Sequence, residues 1–178
     1  CLTEDAEVDV GPLNYEGETT TKISKEITGL YCYEQDLVVK GYLYFTRDEG
    51  EIGDTLPSGS NPPSGVQVTA IEQNPVDVDD DGAQMRFKIH VENVGDGTIV
   101  EDLSSCFEYR EASYREEFDI SVSDVYTMDC PDDVRLSRGE KTDVITCVVS
   151  DIDTTNLGDN PVEISIRLSG YAYEEEIP

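Results

Sequence analysis

The chain has 178 residues, enough to bury a sizeable core in one large or two small domains. Acidic residues number 40 against 12 basic ones, a formal net charge of −28, and that sign disfavours nucleic acid and anionic membranes as partners. A hydrophobic share of 37%, with ten tyrosines, four phenylalanines and no tryptophan, is too apolar and too patterned for a disordered chain. Such a chain repels itself, over a Debye length of about 8 Å at physiological salt and about 3 Å near 1 M. Either the acidity adapts the protein to high salt, or divalent cations neutralise it.

In chain order, residues 1–11 are acidic with Leu2, Ala6, Val8 and Val10 interleaved, a weak strand signal at AEVDV. Residues 22–28 admit a short helix, although Thr and Ile favour strand. LYCYEQDLVVKGYLYF at 30–45 is the strongest β signal of the N-terminal part. DEGEIG at 48–53 follows as an exposed turn. The stretch LPSGSNPPSG, residues 56–65, offers few ladder donors and few packing groups and reads as a linker.

Beyond it lies the segment from Val66 to Val100: a strand, an acidic turn, a longer strand and a glycine turn. In the longer strand Met85, Phe87, Ile89 and Val91 alternate with Arg86, Lys88, His90 and Glu92, the period of a half-buried strand. Strands are expected again at Ile99–Tyr109, Phe118–Val125, Val134–Leu136 and 143–150. The last runs through PVEISIRLSGYAY from 161, with Val162, Ile164, Ile166 and Leu168 on one face. Turn signals every 8–12 residues or so indicate a sandwich or barrel, without a convincing amphipathic helix.

Five cysteines are spread along the chain without a Cys-x-x-Cys pair, and a single histidine makes a zinc site untenable. They read as disulfides, and hence as an oxidising compartment. With Cys1 set aside as the odd one, four cysteines allow three connectivities. Cys130 with Cys147 would staple neighbouring strands and leave Cys32 with Cys106, each bridge contributing about 2–4 kcal/mol. The other pairings stay open. A chain starting at Cys resembles a lipoprotein after signal-peptidase cleavage, so Cys1 is the candidate lipid anchor and the only route to a membrane. No apolar run approaches the roughly 18 residues that span a bilayer.

Asp77, Asp79 and Asp81 before Gly82 have the Asp-x-Asp-x-Asp-Gly spacing that points three carboxylates into a calcium loop. The twelfth position is Lys88 where an EF-hand needs glutamate, which excludes that motif. A β-loop calcium site remains one reading and a solvated acidic turn the other. His90 has no triad partner at a recognisable spacing, and paired carboxylates lack the tryptophan-lined cleft of a glycosidase. No catalytic constellation is expected, and no cofactor beyond calcium.

VTAIEQNPVDVDDDGAQMRFKIHVENVGDGTI resembles the first strands of CARDB-like immunoglobulin-type domains of archaeal and bacterial surface proteins. The resemblance rests on Asn74-Pro75, the alternation Met85 to Val91, Asn93-Val94-Gly95, and a later Leu136-x-x-Gly139-Glu140 turn. It covers roughly residues 66–150. A looser likeness is to exported archaeal proteins with paired cysteines. The resemblance implies spacers, adhesion modules or filament subunits, and no particular ligand.

The sequence therefore predicts an all-β protein: a smaller β-rich N-terminal segment (1–55), a Pro/Ser/Gly linker (56–65) and an immunoglobulin-like β-sandwich (66–178). The expected role is an extracellular structural protein of the cell surface, assembling with itself or other surface proteins into a filament, pilus or surface layer. The acidic, strand-like ends AEVDV and YAYEEEIP would serve strand addition. The alternative is a monomeric, lipid-anchored binding or adhesion module holding calcium.

Overall fold

The alternation of apolar side chains is converted directly into two packed sheets. The structure, a computed structural model, describes residues 29–79, 82–106, 115–123, 127–137, 141–158 and 160–177. The readings placed on Cys1, on AEVDV, on the helix at 22–28, and on Asp81, Gly139 and Glu140 lie outside these residues.

One sheet runs β1 (Gly29–Tyr44), β10 (Pro161–Ile177), β6 (Arg115–Ser123) and β8 (Asp133–Ser137), with β5 (Thr98–Val100) also on β10. The other runs β2 (Val66–Gln73), β4 (Gly82–Asn93), β9 (Thr142–Ser150) and β7 (Thr127–Asp129), with β3 (Asp77–Asp79) on β4. Every pairing is antiparallel. From β6 onward each connection crosses from one sheet to the other, so both inner faces draw on strands far apart in the described sequence. Among the described residues there is no α-helix. The molecule is an antiparallel β-sandwich.

Met85, Phe87, Ile89 and Val91 of β4 all point into the core, at most 1% exposed, as the alternation requires. They meet Leu37, Val39 and Leu43 of β1, Ile164, Ile166 and Leu168 of β10, and Ile145, Cys147 and Val149 of β9 in one cluster. At roughly 25 cal/mol per Å², burying each such aliphatic side chain contributes about 1.5–3 kcal/mol. That one cluster overturns the division expected at 56–65. β1 lies upstream of that stretch, yet it pairs with β10 along its whole length, from Gly29 opposite Ile177 to Tyr44 opposite Pro161.

The Pro/Ser/Gly stretch has a different task. The side-chain amide of Asn61 donates to Val68 O at 2.7 Å and accepts from Val68 N at 3.0 Å, mimicking a neighbouring strand along the outer edge of β2. Ser64 Oγ accepts from Val66 N at 3.1 Å on the same edge. Prolines exclude this stretch from a ladder, and its small polar side chains replace the ladder bonds it cannot make.

β10 is longer than its sequence pattern. Its inward residues are even-numbered through Leu168 and odd-numbered from Tyr171, because the register slips between Ser169 and Tyr171. Gly170, at φ 79°, sits at that slip, a left-handed conformation glycine adopts without a Cβ penalty. Beyond it Tyr171, Ala172 and Tyr173 are 2%, 0% and 1% exposed. YAYEEEIP is thus not a spare end for a neighbour: residues 171–177 pair with β1 of the same chain, and 172–174 also with β5.

The strand expected over Ile99–Tyr109 stops at Val100. Asp102 Oδ1 accepts from the amides of Ser104 (2.8 Å) and Ser105 (3.0 Å) and winds Leu103–Ser105 into a 3-10 turn. That turn delivers Cys106 onto the outer face of the first sheet.

Candidate functional site

The cysteines are joined as Cys32–Cys106 and Cys130–Cys147, with Cα atoms 6.4 and 4.3 Å apart. Cys130 follows β7 and Cys147 lies in β9 beside it, so this bridge staples paired strands. Cys32–Cys106 seals a small second cluster, Val100, Cys106 and Ala172, on the outer face of the first sheet. Two disulfides point to an oxidising environment.

Asp77 and Asp79 fall on β3 and are exposed, and Asp81 lies outside the described residues. Asp79 lines a hollow of about 160 Å³ together with Ser150 and Asp151. Among the described residues no group of three or more His, Cys, Asp or Glu is arranged to hold a metal ion. A second hollow of about 540 Å³ is bordered by Glu34, Asp36, Glu101 and Asp102, but two of these carboxylates are engaged. Asp102 caps the 3-10 turn, and Asp36 accepts from Arg167. His90, on the outer face of β4, has Nε2 3.4 Å from Glu72 Oε1 and completes no hydrogen bond there.

Asn93 and Gly95, two residues of the resemblance, acquire a physical role. Tyr173 Oη donates to Asn93 Oδ1 at 3.0 Å and accepts from Gly97 N at 2.9 Å, while Asn93 Nδ2 donates to Gly97 O at 3.0 Å. The network ties β10 of one sheet to the end of β4 in the other. Gly65, Gly95 and Gly97 surround the ring so closely that a Cβ on any of them would overlap it. Burial pushes the Tyr173 hydroxyl up to about 12, against the lowering effect of the Gly97 amide. Tyr171, two residues earlier, is likewise pushed up by burial; its hydroxyl lies beside Ser64 and completes no hydrogen bond.

The least expected feature is the outer edge of β1. Tyr42 N donates to Thr55 O at 2.8 Å, and Tyr44 exchanges 2.9 and 2.7 Å bonds with the side-chain amide of Gln73. Neither partner belongs to β10, so the backbone groups of the even-numbered residues of β1 face away from β10. Going toward the N-terminus, the next edge-facing residues are Lys40, Val38 and Asp36. Among the described residues nothing bonds to their backbone on that side.

Their side chains share the outer face of the sheet. Val38 is 51% exposed. Arg167 Nε donates to Asp36 Oδ1 at 2.9 Å, and Lys40 Nζ to Glu163 Oε1 at 2.7 Å. The Arg167 guanidinium holds the Asp36 carboxyl below the usual carboxylate range, and Glu163 raises Lys40. The strand itself was evident in the sequence. Its position at a sheet edge was not, because edge status depends on partners far along the chain.

The fold and its bridges define a class: a disulfide-bridged antiparallel β-sandwich with one long sheet edge open among its described residues. Comparison with known proteins gives no match to a family model, a curated protein or a solved structure.

Proposed function

We propose that the chain is a structural, non-enzymatic subunit of an extracellular assembly, a filament, pilus or surface layer, built by adding strands to open sheet edges. The observation carrying this reading is β1: 16 residues long, at the end of its sheet, with edge-facing backbone groups from Asp36 to Lys40 unbonded among the described residues. Such an edge is a template for another strand, and proteins that stay monomeric blunt theirs. Two disulfides support an extracellular setting, and the charge of −28 supports a salty one. The immunoglobulin-like resemblance fits the same role.

Light scattering across protein concentration, with and without 1 M-range salt and calcium, tests it. Growth in mass under at least one condition is expected. A monomer under all of them would sink the reading.

A further inference from the structure

Resting on that assembly reading, we infer that the strand added to β1 is β1 of a second copy, antiparallel about a two-fold axis at Val38. In such a pair residue i lies opposite residue 76 − i of the other copy. Val38 then meets Val38, Asp36 meets Lys40, and Lys40 meets Asp36.

Three properties of the edge select this register. First, Val38, Asp36 and Lys40 all have edge-facing backbone groups, so each opposing couple is a hydrogen-bonded one, the arrangement in which both partners exchange N–H and C=O. Shifting the axis to Asp36 or Lys40 places like charges opposite each other. Axes at Leu37 or Val39 oppose Val38 to a charge.

Second, the charges extend an existing pattern. Within one copy Arg167 holds Asp36, and Glu163 holds Lys40. Across the axis the row becomes Arg167, Asp36, Lys40, Glu163, alternating in sign, and the two-fold repeats it. In a chain with only 12 basic residues against 40 acidic ones, this edge combines Lys40 with Arg167 and is close to neutral. Two strongly acidic molecules can approach here with least repulsion.

Third, the contact has defined ends. Tyr42 is already bonded to Thr55 and Tyr44 to Gln73, so among the described residues the unbonded ladder runs from Asp36 to Lys40 in each copy. A Val38–Val38 contact on an isologous axis closes the pair. The pair is then the repeating unit, and further growth uses another surface.

The test replaces Val38 by cysteine. Opposed hydrogen-bonded residues of antiparallel strands have Cα atoms about 5.5 Å apart, within disulfide reach. Val38→Cys should give a cross-linked dimer on mild oxidation at a rate at least tenfold above Val144→Cys, a valine of comparable exposure (43% against 51%) on the other sheet. Equal rates would overturn the pairing.

Charge reversal provides an independent arm, read by light scattering at one protein concentration. Lys40→Glu alone should weaken dimerisation tenfold or more, and mixing it with the Asp36→Lys variant should restore it as a heterodimer, because each acidic position then meets a basic one across the axis. A loss that the mixture does not restore would assign the two residues to their own chain, through Arg167 and Glu163, and would overturn the register. Hydrogen exchange completes the set: the amides of Asp36, Val38 and Lys40 should exchange rapidly in the dilute monomer and slow on dimerisation. Slow exchange already in the monomer would mean that the chain's own terminal segment covers the edge, and would overturn the proposal. Growth in mass without Val38 cross-linking removes this contact and leaves the assembly reading standing. A monomer throughout removes both.

Discussion

Two edges run along one flank of the sandwich, β2 in one sheet and β1 in the other, and they are finished differently. On β2, Asn61 pairs with both backbone groups of Val68, Ser64 covers Val66, and Thr55 Oγ1 donates to Ile71 O. On β1 the Gln73 side-chain amide covers Tyr44 and the Thr55 main-chain carbonyl covers Tyr42, and the next three edge-facing positions are bare among the described residues. The opposite flank is blunted too, since β7 has three residues and Arg135 N of β8 donates to Asp143 Oδ2 at 2.9 Å. The contrast teaches that covering an edge in this molecule takes only an amide or a hydroxyl from a nearby loop. The residues that would do it are spent on β2.

The largest effect should come from putting proline on the two sides of β1. At Val39 the N–H faces β10 in the ladder, and Val39→Pro should cost about 3 kcal/mol or more, read as a shift in urea midpoint. At Val38 the N–H faces the open edge, where proline is tolerated, so Val38→Pro should fold and fail to dimerise. If both variants unfold equally, the edge assignment is wrong.

Next in size is Tyr173→Phe. It strands Asn93 Oδ1 and Gly97 N in the interior and should cost about 1–3 kcal/mol. Because the Tyr173 ring packs against Gly65, where the cover of β2 ends, exchange at Val66 and Val68 should accelerate as well. Tyr171→Phe removes a hydroxyl that completes no hydrogen bond, and its effect on melting should be near zero or favourable.

The same two tyrosines set an alkaline limit. Their hydroxyls are pushed above the ordinary value of about 10, so the folded chain holds protons that the unfolded chain releases. Their contribution is complete below pH 10 and falls as pH rises toward 12, by at most about 1.4 kcal/mol per pH unit and group. Denaturation followed between pH 9 and 12 should show that decline, and Tyr173→Phe should flatten it.

A modest loss of stability, about 1 kcal/mol, is expected of Asn61→Ala, which uncovers β2 at Val68. Its diagnostic readout is association: a β2 edge made bare should raise self-association above that of the parent chain. Unchanged mass would show that openness alone does not make an edge adhesive.

The inner faces of the sandwich were legible because a strand with one buried face must alternate, and Met85 to Val91 and Val162 to Leu168 do so without interruption. Legibility failed where a single residue changed the rule. At Gly170 the alternation changes parity, so Tyr171 and Tyr173 look like the start of an acidic tail although they are core. At Asp102 a side chain that accepts two amides ends a strand that hydrophobicity would continue. The Pro/Ser/Gly stretch looked like a spacer because composition reports missing ladder donors, not what Asn61 and Ser64 supply instead. The open edge was invisible for a topological reason: β1 finds its neighbour in β10, more than a hundred residues away.

The Cys32–Cys106 bridge closes a covalent ring that contains most of β1 and all of β2, β3, β4 and β5, and so passes through both sheets. A protease that cuts once anywhere between residues 33 and 105 therefore releases no fragment, and the severed strands remain seated opposite the partners that hold them. A single nick thus becomes damage without loss, and detachment requires a second cut in the ring or reduction of one bond.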